Sequence, residues 1–439
     1  MSIELITIVM FISLFALIFT GLPLAFALGS IAIIFSFFLW GVDSFYLIAS
    51  RTSGAIFNYV MIAVPLFMFM ANILERSGLA DEMYSTMHMW MGPVRGGLAI
   101  GTIIICTALA AMSGISAVGV ITMGLIAMPA MFKRGYNKSM VMGCVMAGGA
   151  LGQLIPPSLL MVIYGAMAGV SVGQLFIGGI IPGLVLSGLF ITYIAVRCFF
   201  QKDLAPAMSA EERKAITWKA KFISLRGVIL PVLLIVGVLG SIFAGIATPT
   251  EAAGIGAFGA VLSSLIYRRL TWEMLKTASL NTMKTSCMVM WIMIGSLMFV
   301  SVYFAVGGAD FVQAAVLGSG VNRYVILFGM QLVIFILGCL MDPTGITLLC
   351  TPIFLPICKA IGFDPLWFGV LFVVNLEMSY LTPPFGYNLF YMKAIVPPGI
   401  TMADIYNSVW PYVCLQATGL VLCIIFPQLI MWLPTLMIK

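Results

Sequence analysis

Long apolar runs separated by short polar segments extend along almost the whole chain. Residues 5–40, 228–267 and 409–433 are each long enough for one or two membrane helices, at roughly 20 apolar residues per span. About ten to twelve such segments fit into the sequence. No basic segment precedes the first apolar run, so we expect no cleaved signal peptide. The pattern predicts an all-α polytopic membrane protein.

Composition supports this class and limits the chemistry that the chain can carry out. Of the 439 residues, 62% are hydrophobic and 8% charged, against about 25% charged in soluble domains. The net charge of +6 indicates basic loops on the cytoplasmic side of a membrane, and we expect no nucleic-acid partner. Nine cysteines without a Cys-x-x-Cys pair, and the single histidine His88, indicate neither a metal site nor a disulfide framework. The sequence also lacks a phosphate-binding Walker loop, which leaves an ion gradient as the driving force.

An internal repeat divides the chain. A shift of 227 residues places Pro156-Pro157 on Pro383-Pro384, and also aligns Pro129 with Pro356 and Gly135 with Gly362. Near the start of each half the shift is 226, which aligns Pro23 with Pro249. We therefore predict a first repeat over residues 1–200, an amphipathic connector over 201–226 and a second repeat over 227–439, with 207–223 forming a surface helix.

Charge predicts that the two halves have opposite orientations in the membrane. Seven basic residues against three acidic ones indicate that the connector region is cytoplasmic. These basic residues are Arg197, Lys202, Arg213, Lys214, Lys219, Lys221 and Arg226. Arg268-Arg269 of the second half aligns with uncharged Gly41-Val42 of the first, as opposite orientation requires. Inverted repeats are typical of secondary transporters, and this arrangement predicts a periplasmic N-terminus.

The two Pro-Pro pairs predict broken helices over about 139–168 and 366–396. Two adjacent prolines remove two backbone donors, so a continuous helix cannot cross them. Carbonyl groups freed at membrane depth suit a cation such as Na⁺, and the N-termini of half-helices favour an anionic group. A pair of simple proline kinks is the alternative interpretation.

Upstream of each break lies a shorter interruption between two apolar stretches that are too short to span comfortably. We interpret these as re-entrant hairpins over about 97–131 and 325–358. Their tips would supply Ser113, Gly114 and Ser116 from the first half, and Asp342, Thr344 and Gly345 from the second. For the second tip, an ordinary external turn is the alternative.

These features give two sets of candidate residues. The predicted Na⁺ ligands are Ser113, Gly114, Ser116, Gly148, Gly149, Gly152, Pro156, Asp342, Thr344, Gly345, Asn375, Thr382 and Pro383. The predicted substrate-binding residues are Gln153, Ser158, Glu377, Tyr380, Phe385, Gly386, Tyr387 and Asn388. Glu377 lies in an apolar run, where a carboxyl group is either functional or a structural acceptor for backbone donors. Glu251 follows Thr248-Pro249 and is predicted to cap a helix.

Several of these motifs resemble those of a known family. They are residues 148–158 (GGALGQLIPPS), residues 245–253 (GIATPTEAA), Asn375-Leu376-Glu377, Thr382-Pro383-Pro384 and Asn388-Leu389-Phe390. Along essentially its whole length the chain resembles the large membrane subunit of the tripartite ATP-independent periplasmic (TRAP) transporters. The resemblance implies a multi-pass permease of the bacterial inner membrane with an elevator mechanism coupled to Na⁺. It also implies a small four-helix membrane subunit and a periplasmic binding protein that delivers an organic acid.

The bulky Tyr380, Phe385 and Tyr387 depart from the pattern of dicarboxylate and sialic-acid members. They look more like the branch for keto acids and small monocarboxylates, and a small sulfonate also remains open. No Lys or Arg stands among the candidates, so half-helix dipoles, hydroxyl groups and Na⁺ would hold the anion. A stand-alone Na⁺/organic-acid symporter and a channel are alternatives. We expect no enzyme, because the sequence offers no histidine-metal set or nucleophile-base pair, and no cofactor besides the coupling ion.

Overall fold

The computed structural model describes residues 2–209, 211–212, 216–318 and 320–437, and their regular structure is entirely helical. The first half contains α1 (Ile3–Phe19), α2 (Leu24–Trp40), α3 (Ser44–Ile56), α4 (Ala63–Arg76), α5 (Leu79–Met91), α6 (Gly97–Ser113), α7 (Ser116–Lys133), α8 (Lys138–Ala150), α9 (Leu159–Ala168) and α10 (Val172–Phe200). Single 3₁₀ turns at Tyr59–Ile62 and Leu151–Gln153 precede α4 and follow α8.

The second half repeats this order of helices. It contains α11 (Trp218–Ser224), α12 (Arg226–Ile235, extended by a π-turn at Val236–Gly240), α13 (Pro249–Ile266), α14 (Trp272–Ala305), α15 (Gly308–Gly318), α16 (Arg323–Gly338), α17 (Pro343–Ala360), α18 (Pro365–Leu381), α19 (Tyr387–Ile395), α20 (Met402–Ile425) and α21 (Gln428–Thr435). At the shift of 227, α17 coincides with α7 residue for residue.

Length and hydropathy confirm the all-α membrane class. Within the described residues, eight helical segments are long and apolar enough to cross a membrane. That is fewer than the number of apolar segments expected from the sequence. The reason is that several apolar helices have only 10–17 residues, among them α6, α9, α16 and α18. These short helices flank the interruptions that the sequence singles out.

Matching capping residues begin the two helices that run into the Pro-Pro pairs. The side chain of Asn137 accepts hydrogen bonds from Ser139 N and Met140 N at 3.0 and 3.4 Å, and so caps α8. Asp364, the residue 227 positions later, caps α18 through Leu366 N at 2.7 Å. A side-chain acceptor at this position satisfies backbone donors that the first helical turn leaves free.

The two halves differ in one long segment. In the first half it is divided into α3, a 3₁₀ turn and α4, whereas in the second half it is the single helix α14. Asn58 caps the 3₁₀ turn through Val60 N at 3.1 Å, and Pro65 removes a donor in the following turn. The 34 residues of α14 contain no proline. This long helix packs against α2, α3 and α4 on one side and against α17 on another.

The connector does not begin as the surface helix predicted over 207–223. Residues 201–209, here called the connector strap, instead run along the loops that flank α6, α7 and α8. Gly96 N donates to Ala205 O at 3.1 Å, and Asn137 N donates to Leu204 O at 2.8 Å. Pro206 cannot donate a backbone hydrogen bond, which disfavours a helix here. Glu211 and Glu212 are helical, and α11 starts further along at Trp218; Arg213 and Lys214 lie outside the described residues.

A polar cluster joins the connector to two helix ends. The Arg134 guanidinium donates to Glu212 Oε2 at 3.0 Å and lies 3.0 Å from His88 Nε2. Partial burial lowers the pKa of His88, and the neighbouring Arg134 lowers it further, while Glu212 opposes both effects. The cluster therefore favours neutral His88 beside the ion pair.

Candidate functional site

The tip between α6 and α7 contacts the second break directly. Ser116 Oγ donates to Asn388 Oδ1 at 2.6 Å, and Asn388 Nδ2 donates to Met146 O at 3.3 Å. Ser116 and Asn388 are both almost completely buried. These hydrogen bonds join the first tip, the second broken helix and α8 across a large separation in sequence.

Glycines allow the same tip to approach the first break. Gly114 has a φ of +67°, and a Cβ atom at this position would overlap the carbonyl oxygen of Pro157. A Cβ at Gly152 would lie 2.9 Å from Ile115 O. A non-glycine residue at position 114 would combine a disfavoured left-handed backbone with a direct clash.

Some polar groups at the first break form hydrogen bonds within the break itself. Ser158 caps α9 by accepting from Met161 N at 3.3 Å, and its hydroxyl donates to the carbonyl oxygen of Gln153. Ser113 Oγ and Gln153 Oε1 are buried and have no hydrogen-bond partner within the described part of the chain. Free buried oxygens are the expected remainder of a site that binds an ion or a polar solute.

The second tip presents a carboxylate at the start of a helix. Asp342 caps α17, and its Oδ2 accepts from Gly345 N at 3.2 Å. Gly345 lies against Leu24 of α2, where a Cβ atom would clash. The cap engages one oxygen of the carboxylate and fixes the side chain at the tip.

Aromatic side chains surround the second break. The rings of Tyr380 and Tyr387 are 5.6 Å apart, and Thr382 Oγ1 donates to Met378 O at 2.9 Å. A Cβ at Gly386 would overlap the Tyr380 carbonyl oxygen, so the chain turns back on itself at this glycine. Both Pro-Pro peptide bonds, which include Pro156 and Pro383, are cis.

All four of these segments line one cavity of about 140 Å³, here called the central cavity. Its walls come from both tips, both broken helices and the facing sides of α4 and α14. The lining residues are Met68, Gly114, Ile115, Ser116, Ala117, Gln153, Leu159, Leu160, Thr285, Met288, Val289, Asp342, Pro343, Thr344, Tyr380, Tyr387 and Tyr391. Among these residues Asp342 carries the only formal charge.

Seven of the predicted site residues thus meet at the central cavity. They are Gly114, Ser116, Gln153, Asp342, Thr344, Tyr380 and Tyr387. The sequence prediction did not include Met68, Thr285, Met288 and Val289, which lie on helices without an interruption. Tyr391 was also missed, although it aligns with Tyr164 in the repeat.

Other candidates lie away from the cavity wall. A Cβ at Gly148 would lie 2.8 Å from Cys106 Cβ, and one at Gly149 would clash with Val120, so both glycines permit close helix packing. Phe385 is largely exposed and stacks on Phe390. Glu377 is completely buried, and neither carboxylate oxygen has a hydrogen-bond partner in the described ranges.

Asn375 is held by a residue of α16. Its Nδ2 donates to Gln331 O at 2.6 Å and to Gln331 Oε1 at 2.7 Å. We expect Asn375→Ala to lower the free energy of unfolding by about 1–3 kcal/mol, because it leaves the buried Gln331 Oε1 without its donor. Chemical unfolding of the purified protein measures this. Unchanged stability combined with weaker Na⁺ dependence of uptake would instead support the ion-ligand role predicted from the sequence.

The predicted cap at Glu251 is confirmed. Thr248 N donates to Glu251 Oε2 at 2.8 Å, and Glu251 N donates to Thr248 Oγ1 at 3.3 Å. This reciprocal capping box begins α13. Glu251 therefore has an architectural role.

Comparison with solved structures places this helical arrangement among known transporters. The chain superposes on the Alcanivorax borkumensis YdaH transporter with a TM-score of 0.64 at 14% identity, covering 92% of this chain and 96% of that one. It superposes on Neisseria gonorrhoeae MtrF, a member of a class of antimetabolite efflux pumps, with a TM-score of 0.63 at 13% identity, covering 88% of this chain and 85% of that one. At these identities the likeness concerns the fold alone.

Sequence comparison identifies closer relatives. The chain is 30% identical over 98% of its length to the C4-dicarboxylate TRAP transporter large permease DctM of Vibrio cholerae, covering 97% of that protein. It is 31% identical to the isethionate TRAP permease of Oleidesulfovibrio alaskensis, covering 94% of this chain and 64% of that one. It is 28% identical to the ectoine TRAP permease TeaC of Halomonas elongata, covering 97% and 98%.

The family model for the DctM component of tripartite ATP-independent periplasmic transporters matches residues 11–429. This match includes both tips and both breaks, and it agrees with a membrane protein that is a transporter and not an enzyme. The chain belongs to the DctM family, the large permease components of the TRAP transporters.

Proposed function

We propose that this permease carries out Na⁺-coupled uptake of a small organic anion across the bacterial inner membrane. A monocarboxylate, keto acid or sulfonate is favoured over a dicarboxylate or a sialic acid. The observation that carries the proposal is the central cavity, where both tips and both broken helices meet beside α4 and α14. Transporters bind substrate and ion at such discontinuities near the membrane midplane.

The charge of the central cavity supports a cation as co-substrate. Asp342 lines the cavity together with hydroxyl groups such as those of Ser116 and Thr344, and no Lys or Arg is among the lining residues. An organic anion beside an unpaired carboxylate would be repelled in a site of low dielectric constant. Na⁺ prefers oxygen donors, and bound between the carboxylate and the substrate it would remove this repulsion.

Cavity size and aromatic lining support a small substrate. The volume of about 140 Å³ lies below the roughly 300–1,000 Å³ typical of drug-sized ligands. Tyr380, Tyr387 and Tyr391 offer hydroxyl groups and aromatic faces to the cavity. Hydroxyl donors orient a carboxylate or sulfonate group, and the rings accommodate a short carbon chain.

Relatives suggest a range of solutes. Their names specify C4-dicarboxylates, isethionate and ectoine, so family membership does not decide the substrate. Isethionate is a small sulfonate, which agrees with the size of the central cavity. The family description of a tripartite transporter supports a small membrane subunit and a periplasmic binding protein as partners.

An elevator movement is part of the proposal. The tips and broken helices would move together against α4 and α14, whose Met68 and Thr285 complete the wall of the central cavity. The proposal also includes opposite orientations of the two repeats and a periplasmic N-terminus. With this orientation, one hairpin would open toward each side of the membrane.

Reconstitution into liposomes tests the function. With the small subunit and the cognate binding protein present, we expect uptake of a labelled C2–C4 monocarboxylate, keto acid or sulfonate only under an inward Na⁺ gradient. Uptake without any binding protein would overturn the tripartite assignment and favour a stand-alone symporter. Flux that does not saturate with substrate would indicate a channel.

A further inference from the structure

Three arginines converge at one end of α4, α13 and α14, and none of them lines the central cavity. Arg76 ends α4, while Arg268 and Arg269 lie in the loop between α13 and α14. They line a pocket of about 440 Å³ together with Thr271, Glu273, Met274 and Thr277. The pocket lies where α4 and α13 end and where α14 begins. All three belong to segments long enough to span a membrane, so this place is at the boundary between membrane and water.

Within the described ranges, the guanidinium groups of this arginine pocket have no hydrogen-bond or ion-pair partner. The ion pair found among the described residues joins Arg134 to Glu212, and no hydrogen bond or ion pair engages the three pocket arginines there. Glu273 also lines the pocket, which leaves a formal charge of +2 from three arginines and one glutamate. A guanidinium group is planar and carries several N–H donors, which suits the several acceptor oxygens of a phosphate group.

The backbone at Arg268 gives an independent indication. Arg268 is the one non-glycine residue with a positive φ, +54°, in the described part of the chain. It follows the end of α13, where Arg268 N donates to Leu265 O and Arg269 N donates to Ser264 O, each at 3.0 Å. This is the hydrogen-bond pattern of a Schellman motif, in which glycine is the usual residue at the position of Arg268.

The first repeat has a glycine at the position that aligns with Arg268. Gly41, which aligns with Arg268, ends α2 with a φ of +70°. Both positions have a positive φ, and the second half has an arginine where the first has a glycine; the ψ of Gly41, −155°, shows that α2 does not end in a Schellman motif. Backbone strain held at a specific side chain is characteristic of sites where that side chain binds something.

The surface beside the arginine pocket is apolar. Trp272 at the start of α14 is exposed, and α13 exposes Phe258, Leu262, Leu265 and Ile266 toward the same end. Exposed tryptophan is typical of the interfacial level of a membrane helix, and the aliphatic side chains below it would contact acyl chains. A ligand with a phosphate above and hydrocarbon below fits both surfaces.

From this arrangement we infer that the arginine pocket binds the phosphate group of an anionic membrane phospholipid. The guanidinium groups would hold the phosphate, and the apolar side of α13 would hold the acyl chains. The site would fix the α13–α14 loop and the end of α4 to the lipid headgroup layer.

Native mass spectrometry of the purified full-length permease tests the lipid site. We expect the wild-type protein to retain phosphatidylglycerol over phosphatidylcholine with the same acyl chains. The double variant Arg268→Gln/Arg269→Gln should lose roughly tenfold or more in apparent affinity for phosphatidylglycerol. The matched control Arg95→Gln/Lys133→Gln removes two cationic side chains outside the pocket and should retain wild-type binding.

A second variant separates lipid binding from folding. Arg268→Gly removes the side chain but relieves the positive-φ strain, so thermal stability should stay equal or rise while phosphatidylglycerol retention falls. Full retention in this variant, or equal retention of the two lipids by the wild-type protein, would overturn the inference. Displacement of the lipid by an equal concentration of inorganic phosphate would show a simple phosphate site and would also overturn it.

Discussion

Asp342→Asn is expected to raise the Na⁺ concentration for half-maximal uptake by roughly tenfold to hundredfold, the equivalent of losing about 1.5–3 kcal/mol of charged interaction. Asp342 supplies the only formal charge on the wall of the central cavity. Asparagine has the same shape and caps a helix about as well as aspartate, so α17 should remain intact. Uptake into liposomes at varied Na⁺ concentrations gives the measurement.

Asp364, which caps the next helix of the same repeat, provides a matched control. Asp364 caps α18 through Leu366 N and Trp367 N and does not line the central cavity. Asp364→Asn should therefore preserve both the cap and the Na⁺ dependence. If the two variants responded to Na⁺ alike, the carboxylate of Asp342 would not be the ion ligand.

Gly114→Ala is expected to abolish uptake and to lower the free energy of unfolding by about 2–5 kcal/mol. About 1–2 kcal/mol of this loss comes from placing a Cβ atom at a φ of +67°. A further loss of about 1–3 kcal/mol comes from the clash of that atom with the Pro157 carbonyl group. The first tip would have to separate from the first break, which opens the wall of the central cavity.

Gly169 isolates the effect of the clash, since it has nearly the same backbone conformation. Its φ is +66°, and a Cβ atom there would meet nothing within 4 Å. Gly169→Ala should lose only the backbone share of about 1–2 kcal/mol and keep its uptake activity. Chemical unfolding and transport assays on both variants measure the difference. Equal losses would mean that the approach of Gly114 to Pro157 does not matter.

The sequence predicted those parts of the site whose residues interrupt an apolar helical stretch. Pro156-Pro157 and Pro383-Pro384 cannot continue a helix, and the residues around them do lie in interruptions between helices. Asp342 and Gly114 stand out for the same reason, because a carboxylate or a run of small polar residues interrupts an apolar stretch. Both line the central cavity.

The remaining features depend on tertiary contacts that periodicity does not reveal. Thr285 and Met68 sit in continuous helices and look like any other membrane-facing residue until α4 and α14 pack beside the tips. Asn375 also needed the tertiary structure: its Nδ2 donates to Gln331 of α16, while its Oδ1 has no hydrogen-bond partner in the described residues, so its role as an ion ligand stays a prediction. Local sequence identifies a polar residue but not its partner.

The connector strap makes the two hairpins mechanically unequal. Its backbone bonds tie the loop before α6 and the loop before α8 to one segment, through Gly96 to Ala205 and Asn137 to Leu204. At the matching place in the second half, the contacts found among the described residues are side-chain ones: Arg323 and Tyr324 stack on Phe363 at 5.3 and 5.6 Å. Spreading the ends of the first hairpin would break backbone hydrogen bonds, whereas the second can part by rotating side chains. The two like halves thus differ in how firmly the ends of their matching helix pairs are joined.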